Sequence, residues 1–241
     1  MIKILKTPEF ENICPHFVGA AIEARVTNSA TNSQLWEEIE KCCQQLRADF
    51  TTESIKHRSG IAATRQAYKA AGKDPSRYRP ACEQLARRIL QGKELYAVNT
   101  LVDLGNLVSL RSGYATAALD ADKIEGEKLT LSLGTAGEPY EGIGRGVLNI
   151  ENLPVYRDSL GGIATPPSDN IPLPFRWKHA ACCCSSTATT ETKRLWKPPH
   201  KIPSNCCNDI ARPKAAISFI ETHLRLFLII YITLQHHGTT S

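Results

Sequence analysis

Two polar residues one helical turn apart, Asp103 and Asn106, are the first candidates for a chemical site. They lie in the apolar stretch 99–110, and residues spaced i, i+3 on a helix share a face or nearly so. A carboxylate and an amide placed together could bind a polar ligand. A buried Asp-x-x-Asn pair can equally form a structural network that holds neighbouring backbone. The sequence leaves both interpretations open.

Arginines are concentrated between residues 77 and 88, at positions 77, 79, 87 and 88. Guanidinium groups match the geometry of phosphates, so these residues could contact RNA. Arginines opposite the apolar face of a helix are more often simply solvated, however. No aromatic ladder for base stacking accompanies them. The pattern therefore favours a solvated helix face.

Metal and phosphate-loop signals are weak. The chain has adjacent cysteines at 182–184 and 206–207, near His179 and His200. Side chains of adjacent residues point apart and rarely share one tetrahedral zinc ion. The glycine-rich segment 142–146 lacks a Gly-Lys-Ser/Thr sequence and a following helix, which is typical of a turn. The sequence predicts no metal and no cofactor.

The elements that must position any site follow from hydrophobic periodicity. Short strands are predicted at 3–5 and 18–26. Helices are predicted from residue 34 to about 46, at 53–71, at 80–90 and at 99–110, and further strands at 118–124, 128–133, 146–150 and 155–156. Because helices precede strands without βαβ alternation, the predicted fold class is α+β, with N-terminal helices and a mixed, largely antiparallel sheet.

Charge and hydropathy indicate where in the cell the protein is located and whether it enters a membrane. The net charge is +5, but residues 171–241 carry 9 basic and 3 acidic residues, so the preceding body is near neutral. The first nine residues lack the apolar run of a signal peptide. The most apolar window, 226–234, is too short to span a bilayer. The sequence predicts a cytoplasmic protein that does not enter a membrane.

Three ordered segments resemble a known family. They are Arg-Tyr-Arg-Pro-Ala-Cys-Glu-Gln-Leu-Ala-Arg-Arg-Ile-Leu at 77–90, Asn-Thr-Leu-Val-Asp-Leu-Gly-Asn-Leu-Val-Ser-Leu at 99–110 and Leu-Asp-Ala-Asp-Lys-Ile-Glu-Gly at 119–126. Together with Asp-Ser-Leu-Gly-Gly at 158–162 they resemble the B3/B4 domain. This is the tRNA-binding and editing domain of the phenylalanyl-tRNA synthetase beta subunit, which also occurs as a stand-alone bacterial protein. The resemblance covers about 19–170 of a domain predicted at 1–170.

The resemblance implies a pocket that receives the mischarged 3′ end of tRNA and hydrolyses the wrong aminoacyl ester. One departure affects this activity: where the family has a Pro-x-His-Ala-Phe-Asp motif, Ala117 occupies the histidine position. Hydrolysis would then depend on other groups that position water or bind the oxyanion. The catalytic candidates are Thr116, Asp120 and Ser159.

Binding residues and partners complete the expectations from the sequence. Gly161 and Gly162 are predicted to bind through backbone amides, alongside Asp103 and Asn106. The expected partner is tRNA or aminoacyl-tRNA, and the alternative is a module that binds a free amino acid or a similar small ligand without catalysis. A chain of 241 residues without an ATP-binding motif is not expected to charge tRNA by itself. The sequence says nothing about the oligomeric state.

The chain changes character near residue 170. Residues 171–241 hold five of the nine cysteines and five of the seven histidines, and they lack the family's Asn-Gly-Tyr-Asp-Gly turn and closing helix. Back-translation of 177–210, read two nucleotides later, is compatible with an open frame that restores both. The sequence therefore predicts an atypical tail, frameshifted and disordered, from about residue 171.

Overall fold

The computed structural model describes residues 2–170 and 224–233. The helices are α1 Pro8–Ile13, α2 Ser33–Asp49, α3 Ser59–Ala70, α4 Ala81–Leu90 and α5 Thr100–Ser112. The strands are β1 Lys3–Lys6, β2 Phe17–Val26, β3 Thr116–Asp120, β4 Lys128–Leu133, β5 Glu141–Gly142, β6 Gly146–Val147, β7 Pro154–Arg157, β8 Gly162–Thr165, β9 Ser168–Asp169 and β10 Leu224–Thr233. The α+β fold class predicted from the sequence is confirmed.

The strands form two main sheets and one small hairpin. The larger sheet has the order β1-β4-β7-β8-β9, and the second has the order β2-β10-β3. Only the β1–β4 pairing is parallel among these strands, so the sheets are largely antiparallel, as predicted. Strands β5 and β6 pair across the glycine-rich segment 142–146, which is the turn that the sequence predicted.

The helices bury the faces that their periodicity indicates. In α2 the buried residues are Leu35, Ile39, Cys43 and Leu46, and the side chain of Asn32 caps its first turn. Helix α5 ends at Gly113, whose φ of 77° places it in the left-handed region that favours glycine. These helices and both sheets share one main core, which includes Phe10, Tyr156 and Ile229.

Several local predictions differ from the structure, among them the strand predicted at 146–150, of which only Gly146–Val147 is a strand. The second predicted helix begins only at Ser59, because residues 55–57 form a separate 3-10 turn and Arg58, with ψ of 132°, interrupts the helical backbone. The predicted strand 118–124 is instead β3 followed by a 3-10 turn at 121–123. Helix α1 was not predicted, although Thr7 caps it and Pro8 occupies its first turn.

The predicted tail contains one described element. Strand β10 pairs on both of its edges, with β2 and with β3. At these ten positions the structure differs from the expected disorder, because an apolar run can satisfy its backbone between two strand edges. Residues 171–223 and 234–241, with the tail cysteines and the proposed frameshift boundary, lie outside the described residues.

Candidate functional site

Asp103 lies in the first turn of α5 and is completely buried. The Thr31 hydroxyl donates a hydrogen bond of 2.5 Å to Oδ2, and the Val98 amide donates one of 3.1 Å to Oδ1. These hydrogen bonds connect the segments that contain Thr31 and Val98 to helix α5. Asn106 is half-buried one turn further along α5. This arrangement favours the structural interpretation of Asp103, while the binding role of the pair stays a prediction.

The same end of α5 holds an open polar position. The Asn28 side-chain oxygen accepts a hydrogen bond of 3.3 Å from the Leu101 amide, and Asn99 caps the helix through Val102. Asn28 is 6% exposed, yet its Nδ2 has no hydrogen-bond partner within the described part of the chain, and neither has Oγ1 of Thr27. Buried polar atoms are normally paired, so these two atoms are exceptions within the described part of the chain.

Thr116, the first residue of β3, faces α5. Its hydroxyl lies 2.7 Å from the Ser109 hydroxyl and donates a hydrogen bond of 2.9 Å to the Gly105 carbonyl oxygen. The neighbouring Ala117 lies in the main core at 1% exposure, opposite Ile229 of β10. Because side chains alternate across a strand, positions 116 and 117 point to different faces. Position 117, where the family has a histidine, is thus occupied by an alanine that packs in the main core.

Asp120 and Ser159 belong to one corner of the molecule. Asp120 caps the 3-10 turn at 121–123, with Oδ1 accepting a hydrogen bond of 3.2 Å from the Asp122 amide. Two residues beyond this turn, the Glu125 carbonyl accepts a hydrogen bond of 3.1 Å from the Ser159 amide. Ser159 is exposed. The loop 120–126 therefore begins at the buried Asp120 and, through Glu125, is hydrogen-bonded to the backbone of Ser159, whose hydroxyl is accessible.

The two glycines beside Ser159 have different roles. The Gly161 amide donates a hydrogen bond of 3.1 Å to Oδ1 of Asp158, so this amide is occupied in the structure. At Gly162 an added Cβ would lie 2.9 Å from Cγ1 of Val155 and 3.2 Å from Oε1 of Glu138. A glycine is required there by close packing. The binding role predicted for both glycines remains a prediction.

Glu138, next to Gly162, is paired with Arg157. The guanidinium group contacts both carboxylate oxygens, and Nη2 donates a hydrogen bond of 2.6 Å to Oε2. Burial opposes ionisation of Glu138, but the hydrogen bonds from Arg157 and Thr135 outweigh it and lower the pKa of this carboxyl. A carboxylate that is held ionised and bound by an arginine stabilises the sheet rather than transferring protons.

The predicted site residues thus form two groups. Asp103, Asn106 and Thr116 lie along α5 and its contact with β3, whereas Asp120, Ser159 and the two glycines surround the corner loop.

The described cysteines, at positions 14, 42, 43 and 82, are free thiols. Burial raises the pKa of the Cys82 thiol to about 12, which leaves it protonated and unreactive at neutral pH.

A third candidate surface lies on α4. Arg79, Arg87, Arg88 and Lys93 line a groove of about 390 Å³. Residues 77–93 contain five basic residues and one acidic residue, Glu83, which is completely buried. We call this groove, with its four cationic residues and Tyr96, the α4 surface. The charged residues that line the groove are all basic, in contrast to the near-neutral body of the chain.

Glu83 organises the arginines of this surface. Its carboxylate lies 3.0 Å from Arg65 Nη1, 2.8 Å from Arg87 Nε and 3.9 Å from Arg79 Nε. One buried carboxylate therefore faces three guanidinium groups, which leaves a surplus of positive charge at the surface. Arg79 keeps 45% of its side chain exposed. In Arg87, Nε is paired with Glu83 and Nη1 donates a hydrogen bond of 2.7 Å to the Thr52 carbonyl oxygen, so both of these donors are occupied.

Arg88 and Tyr96 form a solvent-facing pair beside the groove. The Arg88 guanidinium carbon lies 4.3 Å from the centroid of the Tyr96 ring, and Nε donates a hydrogen bond of 2.6 Å to the Glu94 carbonyl. Tyr96 is 72% exposed. The sequence analysis missed this contact, because Tyr96 follows Gly92 in an irregular segment whose path no periodicity indicates. The i, i+4 spacing of Glu83 to Arg79 and Arg87 was the available signal for the ion pairs.

A comparison with family models identifies the class of domain. Residues 63–168, from within α3 to the start of β9, match the B3/4 domain. No curated protein matches the chain. The match to residues 63–168 agrees with the resemblance noted in the sequence.

The B3/4 domain is the family whose resemblance in the sequence suggests a relation to the beta subunit of phenylalanyl-tRNA synthetase. The match includes α4, α5, β3 and the corner loop, and hence every candidate site residue from Asp103 to Gly162. Strand β2 and helix α2 lie outside the matched residues. No helix in the described ranges combines the length and apolar character needed to cross a membrane.

Proposed function

We propose that this chain is a cytoplasmic RNA-binding protein of bacterial type that holds tRNA or aminoacyl-tRNA on the α4 surface. The observation that carries the proposal is the concentration of exposed positive charge on one helix of the family domain. Phosphate contacts supply most of the affinity for nucleic acid and need such a face. Within residues 1–170, the part outside 77–93 holds more acidic than basic residues, so the α4 surface is the basic region of the body.

The geometry of the arginines supports the same proposal. Arg87 is oriented by its 2.8 Å ion pair with Glu83, so less side-chain entropy is lost when it binds a phosphate, whereas Arg79 keeps an exposed side chain. Arg88 stacks on an exposed tyrosine ring. Single-stranded RNA is bound by this combination, in which arginines contact the backbone and an aromatic ring stacks on a base. The unpaired 3′ end of a tRNA offers both chemical groups.

Salt-dependent binding of tRNA to the full chain tests the proposal. We expect the logarithm of the affinity to fall linearly with the logarithm of the salt concentration, and Arg88→Ala to reduce the slope by about 1. Arg25 is an exposed arginine on β2, so Arg25→Ala is the matched control and should leave the slope unchanged. Equal slopes for wild type, Arg88→Ala and Arg79→Ala would contradict the proposal.

The proposal extends to hydrolysis of a mischarged ester in trans at the corner of Asp120 and Ser159. Ser159 is the exposed hydroxyl among the three catalytic candidates, whereas the hydroxyl of Thr116 is engaged with α5. We expect Ser159→Ala to lower the rate of ester loss from mischarged tRNA and Thr116→Val to affect it less. A wild-type rate equal to the rate without protein, under conditions where tRNA binds, would reject hydrolysis and retain binding.

A second candidate function is the binding of a free amino acid. It is favoured by the unpaired Nδ2 of Asn28 and Oγ1 of Thr27 at the end of α5 that holds Asp103. A ligand that binds only the folded state stabilises it by RT ln(1 + L/Kd), where L is the ligand concentration, so the melting temperature rises with the logarithm of L once this exceeds Kd. Stabilisation by an amino acid in the wild type, abolished in Asn28→Ala, would support this function. Stabilisation that persists in the variant would place the ligand elsewhere.

A further inference from the structure

Strand β10 occupies a position that no other described strand can fill. It pairs antiparallel with β2 from Leu224↔Val26 to Thr233↔Phe17, and with β3 from Leu226↔Asp120 to Ile230↔Thr116. In the order β2-β10-β3, the outer strands do not pair with each other. Without β10, each of them would expose one row of backbone donors and acceptors. We call the space between β2 and β3 the strand slot.

The strand slot is lined by small residues opposite large ones. Positions 19, 20, 21 and 24 of β2 are Gly, Ala, Ala and Ala, and they stand opposite Tyr231, Ile230, Ile229 and Leu226. On β3, Ala117 and Ala118 stand opposite Ile229 and Leu228. Ile229 is completely buried in the main core. The backbone register therefore sets ten residues of β10 against β2 and five of them also against β3.

The link between β10 and the rest of the domain is long. Residues 171–223 separate Asn170 from Leu224. A chain of this length reaches at most about 180 Å, well beyond the slot of its own domain. The entropic cost of closing this loop makes pairing of β10 within its own chain less favourable, and the cost grows with loop length. The pairing contacts are the same whether the strand comes from the same chain or from another copy.

We propose that β10 is an exchangeable strand, and that the strand slot of one copy of this chain accepts Leu224–Thr233 of a second copy. The partner is a second copy because its strand has the register and residue sizes described above. Each sheet of the resulting dimer keeps the order β2-β10-β3, and no pairing is lost. Strand exchange of this kind is a low-cost route to a dimer. The inference is independent of the proposed function in RNA binding.

Refolding of the full chain at two concentrations tests the exchange. Tethered segments have effective concentrations on the order of 1 mM, and a second copy competes when its concentration approaches that value. We expect the dimer fraction after refolding, measured by light scattering after size exclusion, to be at least about fivefold higher at ~500 µM protein than at ~10 µM. The dimer should persist on dilution, because dissociation requires the sheet to open. A monomer at both concentrations would overturn the proposal.

A disulfide between copies distinguishes strand exchange from other association. Positions 117 and 229 are opposite in the register, and opposite residues in antiparallel strands are close enough for a disulfide. We expect Ala117→Cys in one chain and Ile229→Cys in another, refolded together and oxidised, to give a peptide that joins positions 117 and 229. Leu226→Cys is the control partner, because position 226 lies opposite Asp120.

The outcomes decide the proposal in each case. The disulfide can form when Ala117→Cys and Ile229→Cys are in one chain and yet never form between two chains. In that case β10 stays with its own domain and the exchange is rejected. If the link does not form even within one chain, the strand slot is not occupied in this register, and the proposal fails as well. Should the variants not fold, the concentration dependence of the wild-type dimer fraction decides alone.

Discussion

Glu83→Gln is the substitution whose effect on stability the structure specifies best. The carboxylate is completely buried, lies 2.8 Å from Arg87 Nε and 3.0 Å from Arg65 Nη1, and is the sole acidic residue in 77–93. A neutral amide of the same shape would leave the guanidinium groups without a counter-charge. Removing one partner of a buried ion pair destabilises a protein by 3–5 kcal/mol.

The expected loss lies at the lower end of that range. The side chains of Arg65 and Arg87 are 15% and 22% exposed, so water compensates part of the missing charge. We therefore expect the free energy of unfolding to fall by about 3 kcal/mol, measured by urea denaturation with an unchanged m value.

Glu94→Gln is the matched control for this substitution. Glu94 is exposed, and only its backbone carbonyl contacts Arg88. We expect its effect to stay within about 0.5 kcal/mol. A loss below about 1 kcal/mol for Glu83→Gln would refute the inference that one buried carboxylate organises the arginines of the α4 surface.

Three further substitutions test local contacts, each by denaturation of the full chain. Arg157 and Thr135 hold the pKa of Glu138 below its ordinary value, so the stability of the wild type should fall as the pH drops below about 4.3. Glu138→Gln should flatten this fall. Identical pH profiles for the two proteins would contradict the role of Glu138. Gly162→Ala places a Cβ 2.9 Å from Val155 and should destabilise by about 1–3 kcal/mol; a neutral effect would show that the sheet relaxes easily. Asp103→Ala leaves two donors unpaired and should lose about 2 kcal/mol, whereas an unchanged stability would favour a ligand-binding role for the carboxylate.

Helices α2, α4 and α5 and the strands β4 and β7 could be predicted because their residues carry local signals. Leu35, Ile39 and Leu46 repeat with helical spacing, and Gly113 marks the end of α5. The path of 92–99 carries no such signal, since the Arg88–Tyr96 contact depends on tertiary packing. The sequence favours solvated arginines because they lie opposite the apolar face of a helix, and this stays a prediction.

The candidate site was only partly predictable for a related reason. Sequence order places Thr116, Ala117 and Asp120 in one short segment, but it cannot show that Ala117 faces the core beside Ile229. That pairing joins residues more than a hundred positions apart. Likewise, the Gly161 amide looks available in the sequence, and only the structure shows that Asp158 already binds it.

Cross-linking tests the central claim, that RNA binds on the α4 surface, most directly. Wild-type protein would be irradiated with a tRNA that carries 4-thiouridine in its single-stranded 3′ region, and the cross-linked peptides would be identified by mass spectrometry. We expect the cross-links to fall within residues 77–96, with Tyr96 as the principal site, and to decrease in Arg88→Ala. Cross-links confined to other parts of the chain, with none in 77–96, would contradict the account.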